Sequence, residues 1–345
     1  MRTIKHTHKV DPFISKIVEQ YLGNMRMGVF DIETLGLNGD KELLVLAGLM
    51  TVDRDGNATM VQYFAERLSD EVTIIENLRK DFEEIDFLFT YNGKHFDLPF
   101  LAKRAKVIGL DPFDYNFYNL DLYLVLNGYS QIKHQLKSLR QKAVEKYMGI
   151  SQSRDDLISG ADSIELYNAY INCSSPEEKE SLLQSIMLHN HDDILQLYKL
   201  LPVLKQVDIH KAFNYLGFPL KGCDGWPDLN VSRVRIGSKE LVITGKYLGN
   251  PFSYLSYNTM LNYYTCEFDT QGNFSFAFPL DRHKGNSFIN LKNYFKDYEE
   301  LKKYPHYMNN FLLLAKGPQY SYLEANKFTQ KFLRMFMETT PFPQR

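Results

Sequence analysis

Residues 29–37 read VFDIETLGL. The apolar run MGVFDI (Met27–Ile32) carries a strand into two acids spaced two apart, Asp31 and Glu33. Strand side chains alternate between faces, so both carboxylates belong to one face. Two anions held side by side raise each other's pKa, which stability alone does not favour. A divalent cation relieves that conflict, and oxygen-only ligands suit Mg2+ or Mn2+. A strand end with solvated acids is the plainer account of the same residues.

Outward from this strand, Leu43–Val52 is a second apolar run, and Met60–Phe64 alternates as a half-buried strand. Val72–Ile85 has helical spacing, with Leu78, Phe82 and Ile85 on one face. FLFTY (Phe87–Tyr91) reads as a further strand, followed by helices from Leu98, over Leu136–Tyr147 and over Ile186–Leu200. Three hairpin-like strands, a helix, a strand and more helices predict an α/β fold, a mixed β-sheet flanked by helices.

Two more stretches carry chemistry. In TYNGKHFDLPFL (90–101), Asp97 stands at a helix start, where an N-cap role is the plain reading. Asn92 and Gly93 form a turn beside it, and Phe96 offers a stacking face. In LHNHDDILQLYKL (188–200), His189 and Asp193 are four apart and share a helix face, whereas Asp192 points elsewhere. A carboxylate there can ligate metal while the imidazole takes a proton from water. An amphipathic helix with a polar stripe explains the same spacing.

The combination, a strand with DxE, then NGxxFDxPF, then HxxxD on a late helix, resembles the three motifs of the DEDD 3′–5′ exonucleases. Those enzymes share the ribonuclease-H-like fold. Over roughly residues 25–200 the chain looks most like the YprB-type group, as does the segment LDLYLVLN around Asp121. The resemblance implies that Asp31, Glu33, Asp97 and Asp193 hold two divalent ions, Mg2+ or Mn2+, spaced roughly 3.5–4 Å apart. It further implies that Thr34, Leu35, Asn92 and Phe96 bind the terminal nucleotide, and that His189 orients or deprotonates the attacking water. His189 departs from the pattern, since four-residue spacing usually carries Tyr in that family. The implied partner is nucleic acid, single-stranded or with a free 3′ end. The competing readings are a ribonuclease-H-like binding or scaffold protein without catalysis, and a hydrolase of short oligonucleotides.

Composition divides the chain of 345 residues. Residues 201–345 carry 18 Lys and Arg against 12 Asp and Glu, whereas the first 200 carry 22 against 30. The later part also holds 27 of the 48 aromatic residues. These shifts predict a short N-terminal extension (1–24), a ribonuclease-H-like domain (25–203) and a C-terminal α+β domain (204–345). Aromatic residues also mark strand-rich cores; as a nucleic-acid surface, the candidates are Lys239, Arg233 and Arg235 with Tyr247 or Tyr254. The formal net charge of −2 excludes a chain that is basic throughout. Cys173, Cys223 and Cys266 form no CxxC pair, which argues against a disulfide framework or cysteine zinc site and for a reducing compartment. No stretch approaches the ~20 apolar residues of a membrane span, so a cytoplasmic, membrane-free protein is expected.

Overall fold

Two units divide the chain, Met1–Glu19 with Gly23–Val207, and Gln20–Leu22 with Asp208–Arg345. The computed structural model describes residues 1–23, 25–111, 118–150, 160–259 and 263–342. The first unit carries the strands β1 (Arg2–Lys9), β2 (Met27–Thr34), β3 (Leu44–Val52), β4 (Asn57–Phe64), β5 (Phe87–Thr90) and β6 (Tyr118–Asp121). They form one mixed sheet in the order β1-β4-β3-β2-β5-β6. The first four are antiparallel to their neighbours, whereas β5 runs parallel to β2 and β6 parallel to β5. The β3–β4 hairpin turns at DRDG, where the Asp53 carboxylate accepts from the N–H groups of Asp55 and Asn57. Gly56 sits there at φ 80°, a conformation that glycine adopts freely.

Helix α1 (Lys16–Leu22) is shared by the two units, and around the sheet lie α2 (Glu71–Glu83), α3 (Asp97–Val107), α4 (Leu122–Tyr129), α5 (Ile132–Gln135), α6 (Gln141–Met148), α7 (Gly160–Asn172) and α8 (Pro176–Lys199). Alternation along β2 sorts them. Phe30 meets Phe82 of α2 edge-on at 5.2 Å, while Asp31, on the opposite face, meets Asn190 of α8. The sheet is therefore covered on both faces, and the acids point toward α8.

The expected fold class is the one observed, with three local corrections. Residues 2–9, set apart on sequence grounds as part of an N-terminal extension, form the edge strand, paired from Arg2↔Phe64 to Lys9↔Asn57. Its inward positions alternate correctly but include His6 and His8, so no apolar stripe betrays it. Helix α8 begins ten residues before Ile186, and its signal is the cap: Ser175 accepts from Glu178 N–H, followed by Pro176 and two acids. The helix expected over Leu136–Tyr147 forms only from Gln141; Leu136 and Arg140 are extended.

A buried ion pair secures the segment after the DxE acids. Arg104 of α3 donates to both oxygens of Glu71 at 2.7 and 2.6 Å and to Gly39 O at 3.2 Å. Glu71 also accepts from Leu44 N–H. Arg104→Ala leaves a buried carboxylate without its partner and is expected to cost about 3–5 kcal/mol, read as a fall in the denaturation midpoint.

The second unit is α+β. It contains α9 (Ile209–Leu216) and an antiparallel sheet of β7 (Phe218–Leu220), β8 (Leu229–Ile236), β9 (Glu240–Tyr247), β10 (Tyr254–Ser256), β11 (Thr265–Phe268) and β12 (Asn273–Pro279), ordered β10-β11-β12-β9-β8-β7. A smaller sheet joins β13 (Asp281–His283), β14 (Asn286–Asn290), β15 (Tyr307–Met308), β16 (Phe311–Lys316) and β17 (Gln319–Tyr320). Two further helices lie in this region, α10 (Glu299–Lys302) between β14 and β15 and α11 (Tyr322–Thr339) after β17.

The aromatic excess of this unit goes largely into its core. Phe328, Phe332 and Phe336 recur every four residues on α11 and meet Phe278 at 5.1 and 4.6 Å and Phe276 at 5.0 Å. Each such ring, fully buried, contributes about 1.5–3 kcal/mol. Tyr247, considered as a base-stacking surface, is 2% exposed and donates to Asp269 O, so it is core. Arg235 pairs with Glu240, and the Arg233 guanidinium stacks 5.3 Å over the Tyr215 ring. Among the described residues, no helix is long and apolar enough to cross a membrane.

Candidate active site

Three elements deliver the acids: the end of β2, the first turn of α3 and the middle of α8. His189 Nε2 lies 3.6 Å from Glu33 Oε1 and 3.6 Å from Asp193 Oδ2. One ligand atom from each of these three residues falls within 4.8 Å of the others. The helical spacing of His189 and Asp193 and the strand spacing of Asp31 and Glu33 thus meet across the sheet–helix interface. Asp31 and Asp97 stand outside the tight triplet, yet burial first, and then the charges of Asp97, Asp193 and Glu33, raise Asp31 well above the carboxylate range.

The other two buried acids behave alike. Burial pushes Glu33 up to about 8, with His189 pulling the other way. Burial pushes Asp97 up to about 7, countered by the N–H groups of Asp97 and Ile32. Among the described residues, no Lys or Arg forms an ion pair with Asp31, Glu33 or Asp97. Buried carboxylates that raise one another, with an imidazole beside them, are a donor set that a hard divalent cation satisfies. The residues fit such an ion.

Residues that sequence reading passed over hold this arrangement. Asn190 donates to Asp31 Oδ2 at 3.0 Å, and Gln62 of β4 donates to Asn190 Oδ1 and to Met187 O, both at 2.9 Å. Gly48 pairs with Asp31 across β2–β3. A Cβ there would stand 2.3 Å from Asn190 Oδ1 and 2.3 Å from Ile194 Cδ1, so a glycine lets α8 settle onto the acids. A glycine inside an apolar strand was the available signal. The strand pairing shifts by one at Glu33/Thr34, a bulge at the end of the acid pair.

Asp97 lies in the first turn of α3 but is not its N-cap, which is Phe96 without a side-chain bond. Asp121 is the residue that organises the preceding turn. Its carboxylate accepts from Asn92 N–H at 2.9 Å, Lys94 N–H at 3.0 Å and Leu124 N–H at 3.3 Å. Asn92 is thereby held at φ 64°, which asparagine tolerates better than most residues. It borders an opening of about 570 Å³ with Tyr91, Tyr123 and Arg140. Gln141, on the same rim, donates to Asp193 O at 2.8 Å. The other residues expected to touch a nucleotide are placed differently. Phe96 packs on Phe100 at 5.8 Å, Leu35 is half-buried against the core, and the Thr34 hydroxyl donates to Gly36 O.

A family model of the RNase H superfamily matches residues 29–205. The chain is 31% identical over 175 residues to the uncharacterized protein YprB of Bacillus subtilis, covering 50% of this chain and 40% of that one. It is 39% identical over 46 residues to a DNA polymerase of Methanocaldococcus jannaschii, 13% of this chain and 3% of that one. The chain thus spans well under half the length of either relative. Among solved structures, the family B DNA polymerase of Pyrobaculum calidifontis matches with a TM-score of 0.40 at 24% identity, over 52% of this chain and 25% of that one.

Proposed function

The chain belongs to the RNase H superfamily, and on that premise we propose that it is a metal-dependent nuclease, a 3′–5′ exonuclease acting on single-stranded nucleic acid. The observation that carries the reading is the convergence of Glu33, His189 and Asp193, with Asp31 and Asp97 close enough to perturb and be perturbed. The direction of attack is supported by the likeness of the three motifs, in order, to DEDD exonucleases.

Asp31, Glu33, Asp97 and Asp193 are the residues that would hold a pair of Mg2+ or Mn2+ ions, which neutralise the phosphate and lower the pKa of water. Asn190 keeps the Asp31 carboxylate turned toward the centre through its 3.0 Å bond. Asp121 sets the backbone of Asn92, at the opening where a terminal nucleotide would enter. Tyr91 and Tyr123, 6.2 Å apart, flank that opening and offer ring faces to a base. His189 accepts the proton of the attacking water at Nε2, with Glu33 and Asp193 stabilising the imidazolium that results.

The test uses purified protein with Mn2+ and strands of DNA and RNA labelled at either end. A ladder shortening from the 3′ end, absent in chelator, supports the reading. Binding without hydrolysis, or cleavage confined to internal positions, rejects it. His189→Gln is expected to lower turnover by about 10²–10⁴-fold with Mn2+ affinity unchanged. Loss of Mn2+ binding in that variant would make His189 a ligand instead.

A further inference from the structure

The second unit holds an open cavity of about 770 Å³ that the carboxylate centre does not use. One wall is a face of α11, along which Lys327, Lys331 and Arg334 follow at helical spacing. Another is the segment around α10, which contributes Lys296 and Lys303. Side chains three and four apart on a helix are neighbours, and like charges there repel. A stripe of three cations therefore costs α11 stability unless negative charge lies against it.

The acids of the cavity do not balance the cations. They are Asp297, Glu300 and Glu338. Glu300 pairs with Lys331 at 2.8 Å, and the Asp297 carboxylate accepts from Glu299 N–H at 3.0 Å. Among the described residues, no carboxylate forms an ion pair with Lys296, Lys303, Lys327 or Arg334. The Lys303 ammonium instead stands 5.5 Å from the Tyr304 ring centroid. Lys327 is half-buried. It donates to Gln20 O at 3.3 Å and to Gln330 Oε1 at 2.7 Å, and lies 5.1 Å from the Tyr21 ring centroid. An ammonium has three N–H groups, so one remains for a ligand. Burial, and then the charges of Arg334 and Lys303, push Lys327 down to about 8, with Glu300 pulling the other way. A bound anion would offset both causes.

We propose that Lys303, Lys327 and Arg334 bind a phosphate group in this cavity. The guanidinium offers a planar fork to two phosphate oxygens, and the ammonium groups add point charges. The volume lies within the range of small-molecule sites, enough for a phosphate with the sugar that carries it. Two sources supply that chemistry, a free nucleotide and the backbone of a nucleic acid strand. The site does not rest on the nuclease reading, because its residues belong to the other unit and need no metal.

The experiment is calorimetric titration of the full-length protein in chelator, which keeps metal-held phosphate away from the acids. The probes are inorganic phosphate, a nucleoside 5′-monophosphate and a short single strand. Saturable binding at one equivalent is expected, weakened about tenfold or more in Arg334→Gln and in Lys327→Gln. Lys316→Gln, an exposed control outside the cavity, should bind as wild type does. Circular dichroism shows whether each variant is folded. Arg334 is exposed, so its variant carries the test if Lys327→Gln does not fold. A strand that binds more tightly than the monophosphate, and loses that affinity in Arg334→Gln, assigns the phosphate to the polymer; equal affinities assign it to the free nucleotide. No binding of any probe at millimolar concentration, unchanged affinity in folded Arg334→Gln, or an equal loss in Lys316→Gln would each overturn the site.

Discussion

Asp193→Ala is expected to reduce hydrolysis of a labelled strand by about 10³–10⁴-fold, a loss of roughly 4–5.5 kcal/mol of transition-state stabilisation. Asp193 is 22% exposed on the side chain and lies mid-helix, where alanine is well tolerated, so the fold should survive. The loss then reports on the centre itself. Its carboxylate lies 3.6 Å from His189 Nε2 and adds to the charge that raises Asp31 and Glu33. Truncating it removes both a metal ligand and a stabiliser of the histidine. The neighbouring Asp192 cannot substitute, since its carboxylate is engaged with His191. Measured turnover near wild type in Asp193→Ala would transfer the role to Asp192 and refute the assignment.

The second large effect concerns the protein without metal. Glu33 is raised to about 8, Asp97 to about 7, and Asp31 in the same direction. A carboxyl raised in the folded state binds its proton there while the unfolded chain has released it. Between about pH 4 and pH 8 the folded form therefore holds more protons, and stability falls as pH rises through that window. In chelator, stability at pH 8.5 is expected to lie on the order of 5 kcal/mol below that at pH 5. At about 2–4 °C per kcal/mol the melting temperature drops by about 10 °C or more. Saturating Mn2+ should restore most of it at pH 8.5, and Glu33→Gln should flatten the metal-free profile. A metal-free melting temperature that stays level or climbs across this range would show that the acids are not crowded as described.

These expectations rest on features of two kinds. The residue types of the centre and their local spacing were legible from the chain. Period-two alternation puts Asp31 and Glu33 on one face, and one helical turn puts His189 beside Asp193. Motif order extended this to Asp97 through family likeness. Other parts gave no local sign. Strand β1 was hidden because its inward positions are half histidine, and the aromatic residues after Leu200 were ambiguous because stacking surfaces and cores draw on the same side chains.

Local periodicity, then, determined which face each acid occupies, because backbone geometry repeats within a single element whatever surrounds it. Tertiary structure alone decided how near those faces come. The depth at which α8 rests on the sheet depends on Gly48 in one strand, Gln62 in the next and Asn190 in the helix, and Gln62 and Asn190 alone lie 128 residues apart. Tertiary structure also made Asp121 the clamp of the Asn92 turn, and brought the rings of His6 and His8 against His191. Such contacts depend on packing between elements distant in the chain, and spacing along the sequence does not encode that distance.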